Sequence, residues 1–185
     1  MGAHIDDPPC FQHDNAVGLF NRRQTVRDDQ LDQMKALQII PSYFASHTFF
    51  WGDWHRDSVL GPQRAKRISP LKSTLNRQMP YTLHNDAPVV PPDMLRLVWS
   101  AVNRVTRSAE VLGHQQRISV LDALKGVTLN AAYQNFEEQI KGSIEVGKLA
   151  DLVILSANPL RVDPMQIKDI QVLETLKAGK SIYQQ

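Results

Sequence analysis

The chain has 185 residues, 42% hydrophobic and 22% charged, an ordinary mix for a globular protein. Lys and Arg number 21 against 19 Asp and Glu, and this excess of +2 is scattered, so no nucleic-acid partner is expected. The single cysteine, Cys10, excludes a disulfide within the chain and a Cys-based zinc site, and suits a reducing, cytoplasmic setting. No apolar run approaches the roughly 20 residues that span a bilayer, so no membrane partner is expected either.

Residues 1–24 show no period. Pro8-Pro9 breaks any helix, and no basic stretch followed by an apolar one marks a secretory signal. A helix is predicted from Asp28, with Leu31, Met34 and Leu37 on one face and two acids in its first turn. Residues 38–44 then read as a short buried strand, the α-then-β step of an α/β fold. Residues 45–80 read as loop-rich, crowded with His47, Phe49, Phe50, Trp51, Trp54 and His55, and with one helix over 70–76. A strand is predicted over 80–84, ended by Asn85-Asp86-Ala87-Pro88. Residues 93–107 give the clearest helix, with Met94, Leu97, Val98, Ala101, Val102 and Val105 in an apolar stripe. Ser119 with Asp122 forms a capping box that opens another. Beyond Phe136 the pattern becomes short strands: Leu152–Leu155 as a buried one, then 170–176 and 181–183, the last two joined by a hairpin at Lys177-Ala178-Gly179-Lys180.

Chemistry-bearing residues follow the strands. Asp86 lies just past one, where α/β barrels keep their active sites; it could equally cap the turn before Pro88. His84 sits two residues earlier, on the same side of the strand, and is either a substrate contact or a packed ring. Trp54 and His55, with Asp53, have the character of a pocket mouth, aromatics with a few polar groups.

Three segments carry a family resemblance. Lys141–Leu155 reads KGSIEVGKLADLVIL, Leu83–Val89 reads LHNDAPV, and Gln24–His47 includes IPSYFASH. Together they resemble the metal-dependent amidohydrolases, family 3 branch, over about residues 24–183. The resemblance implies the C-terminal part of a (β/α)8 TIM-type barrel over residues 24–136, followed by C-terminal strands of a small β-sandwich over 137–185, with 1–23 as a non-family leader. It implies hydrolysis of a non-peptide carbon–nitrogen bond in a small amide-like molecule by metal-activated water. In that scheme Asp86 binds a divalent metal, zinc foremost, or its water, and passes a proton to the leaving nitrogen. His47 matches the family's sixth-strand histidine, a metal ligand; His84, Trp54 and His55 would contact substrate. The GKLADLVIL stretch supplies no catalytic group: Gly147 permits a turn, Asp151 can hold one, and the apolar run is a strand.

Departures from the pattern are equally legible. The histidines stand at 4, 13, 47, 55, 84 and 114, so there is no His-x-His pair. Arg22 falls where the family has its fifth-strand histidine, and a guanidinium cannot ligate a metal. The bridging Lys or Glu has no counterpart. Asp6, Asp7, Cys10, His13 and Asp14 imitate a metal half-site but read as a polar leader. The expectation is therefore a truncated chain, weakly active or inactive alone and holding no firm metal. Its alternatives are a non-catalytic interaction module and a lone ligand-binding module around Trp51–Trp54. A sheet cut from a barrel exposes strand edges, so self-association is expected. A complete eight-stranded barrel takes about 250 residues, with about 200 near the floor.

Overall fold

The computed structural model describes residues 27–185. Helix α1 (Asp28–Ala36) begins at Arg27, whose backbone N–H donates to the Gln30 side chain at 2.8 Å. Asp28 and Asp29 sit at its positive end and Lys35 at its negative end. Leu31 alone of the helix is buried; Leu37, predicted on the same face, lies past the end and is exposed. The chain turns sharply at Gln38, φ +55°. This turn and Pro41 cut the strand predicted over 38–44 down to β1 (Ser42–Tyr43).

Residues 45–80 are largely helical, against the loop-rich reading. They form α2 (His47–Trp54), a π-helical turn (His55–Val59), α3 (Pro62–Ala65) and α4 (Leu71–Asn76). The aromatic run hides the α2 period because its buried positions are the small ones, Thr48 and Gly52. Arg77, just after α4, pairs with Asp32 of α1 at 2.8 Å. Strand β2 (Thr82–Leu83) then runs parallel to β1, Ser42 opposite Thr82 and Tyr43 opposite Leu83. The pairing continues as His84 N–H donates to the Tyr43 carbonyl at 3.1 Å.

Helix α5 (Met94–Asn103) is capped by Asp93, whose carboxylate accepts from Arg96 N–H at 2.9 Å. The helix stops four residues short of the predicted Arg107, because Arg104 adopts φ +54° and turns inward. Its guanidinium, fully buried, donates to the carbonyls of Leu112, Ser69 and Ile68 at 2.8, 3.1 and 2.7 Å. Ser119 caps α6 (Val120–Val127) by accepting from Asp122 N–H at 3.1 Å, as predicted, and α7 (Leu129–Gln134) follows. Gly126 lets α6 press on β2: a Cβ there would stand 3.1 Å from Leu83 and Tyr81 side chains. The core lies between these helices and the strand pair, centred on Leu97, Val98, Trp99, Leu83 and Tyr81.

The C-terminal region is an antiparallel sheet in the order β3 (Leu152–Leu155), β4 (Val172–Lys177), β5 (Lys180–Gln184). Ala178 and Gly179 both have positive φ, the signature of a tight hairpin turn. Asp151 holds that turn by accepting from Ala178 N–H at 2.8 Å. The burial expected for β3 is not found: Val153 and Ile154, on opposite faces of the sheet, are 56% and 48% exposed, so among the described residues no layer fully covers either face of β3. What docks the region is a 3-10 segment, Pro164–Asp169. It buries Ile167 in the core and presents the Met165 carbonyl to the Trp99 indole N–H at 3.0 Å.

Candidate active site

Parallel pairing sends the C-terminal ends of β1 and β2 to the same side, and each end delivers polar groups there. After β1 come Phe44, Ser46 and His47, the first residue of α2; after β2 come His84, Asn85 and Asp86. The Ser42 hydroxyl and His84 Nδ1 share a hydrogen bond of 2.7 Å, and the buried Ser46 hydroxyl donates to Asn85 Oδ1 at 3.3 Å. The Phe44 ring lies against both histidines, 4.4 Å from the His47 centroid and 5.6 Å from that of His84.

His47 also meets His55. Their rings stack 5.3 Å apart at 12°, and His47 Nδ1 lies 3.1 Å from His55 Nε2. One nitrogen must donate and the other accept, so at most one of the two facing positions carries a proton in the bonded pair. Burial pushes the His47 pKa down to about 4, helped by the neighbouring His55 and His84 and opposed by Asp86. Burial lowers His55 as well. Both rings are therefore neutral at pH 7. His55 Nδ1 is buried without a hydrogen-bond partner. Trp54 stands beside His55 at 5.3 Å and is 56% exposed.

Asp86 is exposed in a left-handed conformation, φ +53°, and its backbone carbonyl accepts from Val89 N–H at 2.8 Å. Among the described residues its carboxylate has no hydrogen-bond or ion-pair partner, so the turn is closed by backbone and the side chain is left available. Five of the residues singled out from the sequence thus fall on one stretch of surface: His47 and His55 in contact, Trp54 against His55, His84 and Asp86 within electrostatic reach of His47, while Asp53 faces Ser108 instead. The His47–His55 contact is what sequence reading missed. The two are eight residues apart, about two helical turns, and no spacing in the sequence marks their contact.

Among the described residues the donor set is too small to hold a metal ion by itself. Among the described residues no three His, Cys, Asp or Glu side chains converge to hold an ion, and His47 Nδ1 faces another imidazole. A catalytic zinc takes three protein ligands and a water. Arg22, Cys10 and His13, with the acids of the N-terminal half-site, lie outside the described residues.

The Amidohydrolase family profile matches residues 12–183, beginning inside the stretch read as a leader. N-substituted formamide deformylase of Arthrobacter pascens is 27% identical over 140 residues, 74% of this chain and 25% of that protein. A metal-dependent hydrolase from Pyrococcus horikoshii OT3 superposes with a TM-score of 0.65 at 28% identity, over 77% of this chain and 29% of the other. An adenosine deaminase from Xanthomonas campestris with bound zinc shares the fold, with a TM-score of 0.60 at 19% identity over 86% of this chain and 35% of that one. The chain belongs to the amidohydrolase family, in its family 3 branch. Its mixed α/β fold has its structural neighbours in that TIM-barrel superfamily, and it spans about a quarter of the length of the curated relatives it matches. Among the described residues no helix is long and apolar enough to cross a membrane.

Proposed function

We propose that this chain carries part of a site that hydrolyses a non-peptide carbon–nitrogen bond in a small amide-like substrate. The observation that carries the reading is the gathering of His47, His55, His84 and Asp86 past the ends of two parallel strands, in a chain of this family. Hydrolysis adds water to the amide carbon, and the proton that water loses must reach the departing nitrogen. Asp86, whose carboxylate is unpaired among the described residues, is placed to accept and return that proton. His47, neutral at pH 7, offers its second ring nitrogen to orient the amide through a hydrogen bond, His55 holds that ring through its own Nε2, and Trp54 and His84 flank them. A divalent metal, zinc foremost, belongs to the family's chemistry. Because the described ligands are too few for one, no step here is routed through it.

In the same reading α1 to α7 with β1 and β2 belong to a (β/α)8 barrel, β3 to β5 belong to a small sandwich, and the setting is the cytoplasm. The half-exposed Val153, Ile154 and Ile182 and the two-stranded parallel pair support self-association. The small number of metal-ligating side chains gathered among the described residues favours one second reading, an interaction module without catalysis. Assaying the purified chain on N-substituted formamides and simple amides, with and without added zinc, separates the two. Turnover lost in Asp86→Asn supports the hydrolase. No turnover under either condition, with stable self-association in sedimentation, supports the module.

A further inference from the structure

The surroundings of α2 contain a second polar cluster that the site itself does not use. Residues 104–112 form a short hairpin: Thr106 N–H donates to the Glu110 carbonyl at 2.8 Å, Leu112 N–H to the Arg104 carbonyl at 2.9 Å, and Val105 bridges Val111. Helix α2 and the π turn that follows it rest on this hairpin at three points. Gly52 comes first: a Cβ there would stand 2.8 Å from Thr106 Cγ2, a distance real side chains do not tolerate, so only glycine allows the approach. Asp53 follows, Oδ2 accepting from Ser108 N–H at 3.0 Å and Oδ1 from the Ser108 hydroxyl at 2.7 Å. The Ser108 hydroxyl also shares a hydrogen bond of 3.0 Å with Thr106. Arg56 completes the contact, bonding Glu110 across the gap and lying 3.4 Å from Asp53.

These anchors bracket His55. The α register holds up to His55, whose N–H reaches the Trp51 and Gly52 carbonyls, and is lost just beyond it, where Leu60 N–H reaches back to the His55 carbonyl, an i to i+5 bond of 2.8 Å. A π turn is wider than an α turn and rarely stands alone. A straight α-helix would also hold residues eight apart about 12 Å from each other along its axis, two turns away. His47 and His55 stand at the two ends of this α-helical stretch, so their rings must reach along the axis to meet, and the contact is sensitive to how the stretch is seated against its surroundings.

We infer that Gly52, Asp53 and Ser108 are positioning residues, which seat α2 on the 104–112 hairpin and so hold His55 Nε2 against His47 Nδ1. The inference rests on the proposal that the His47–His55 face is the site. It adds the residues that set its geometry, none of which touches the reacting groups.

The test reads the imidazole pair directly. The full chain is labelled with 15N histidine, and the ring nitrogens and the hydrogen-bond coupling between them are recorded by NMR at one fixed pH. The wild-type chain should show the coupling, and Gly52→Ala should lose it. The double variant Gly52→Ala with Thr106→Ser, which removes the clashing methyl but keeps the hydroxyl, should regain it. Asp53→Ala should lose the coupling and Asp53→Asn, which retains an acceptor for Ser108, should keep it. If Gly52→Ala does not fold by circular dichroism, the Asp53 pair decides alone. An undiminished coupling in Gly52→Ala and Asp53→Ala overturns the inference. So does a loss in Gly52→Ala that the double variant fails to restore. The readout needs no turnover, so a chain that hydrolyses nothing counts against the proposed function and leaves this test decisive.

Discussion

Helix α5 and strand β3 draw on the same stock of side chains and treat them differently. Leu97, Val98, Ala101 and Val102 of α5 are all buried, while Val153 and Ile154 of β3 stay about half exposed. The helix is covered on several sides: α6 and the 3-10 segment pack along it, and its Trp99 reaches Phe49 of α2. The edge strand is held by its backbone ladder to β4. A run of Leu, Val and Ile therefore reports the capacity to be buried, and the number of neighbouring layers decides whether burial occurs. It follows that stability should reside around α5, with the sheet contributing through hydrogen bonds and the dock at Ile167.

Four measurements can break or sharpen that contrast. Trp99→Ala should be the most damaging, about 3–5 kcal/mol in urea unfolding, since it empties a buried site and leaves the Met165 carbonyl without its donor. A loss under about 1 kcal/mol would show that α5 is not the centre of the fold. Arg104→Met should cost about 3 kcal/mol by stranding carbonyls of Leu112, Ser69 and Ile68; an unchanged midpoint would mean water replaces the guanidinium. Ile154→Ala should cost only about 1 kcal/mol, because half of that side chain is already in water. A loss as large as that of Trp99→Ala would show that another layer covers β3 in solution.

The last measurement concerns pH. His47 has its folded pKa lowered to about 4 from an ordinary 6.5, so between those values the unfolded chain binds more protons than the folded one. Stability contributed by neutral His47 is present above pH 6.5 and is lost as pH falls through about 4. Melting temperatures from pH 7 to 4.5 should therefore drop more steeply for the wild type than for His47→Gln. Parallel curves would mean that His47 is not desolvated.

How far the sequence reveals all this depends on which force shapes each part. The starts of α5 and α6 are legible because Asp93 and Ser119 bond the backbone within a few residues of themselves. The β4–β5 hairpin is legible for the same reason, its turn chemistry lying in Ala178 and Gly179. Helix α2 is not, because its aromatic positions, mostly half-buried, obscure the period and its fully buried ones are small. The end of α5 is hidden too, since Arg104 turns inward to carbonyls far away in sequence. At the site, family resemblance and strand position pick out His47, His84 and Asp86 one at a time. Their grouping, and the His47–His55 bond above all, comes from the parallel strand pair and the seating of α2, which no local pattern encodes.

Arg104 has one more consequence. By gripping the carbonyls of Ile68 and Ser69, it closes a span of 36 and 35 residues, much as a covalent cross-link would. Loop closure of that kind removes freedom from the chain between its ends. In a protein with a single cysteine this staple contains no sulfur, so reductants cannot cut it and oxidants are not needed to make it. Burial lowers the guanidinium pKa to about 10, which still leaves it charged at neutral pH. The clasp should hold under thiol, chelator or mild acid alike, and yield only to agents that compete for carbonyl oxygens or unfold the whole domain.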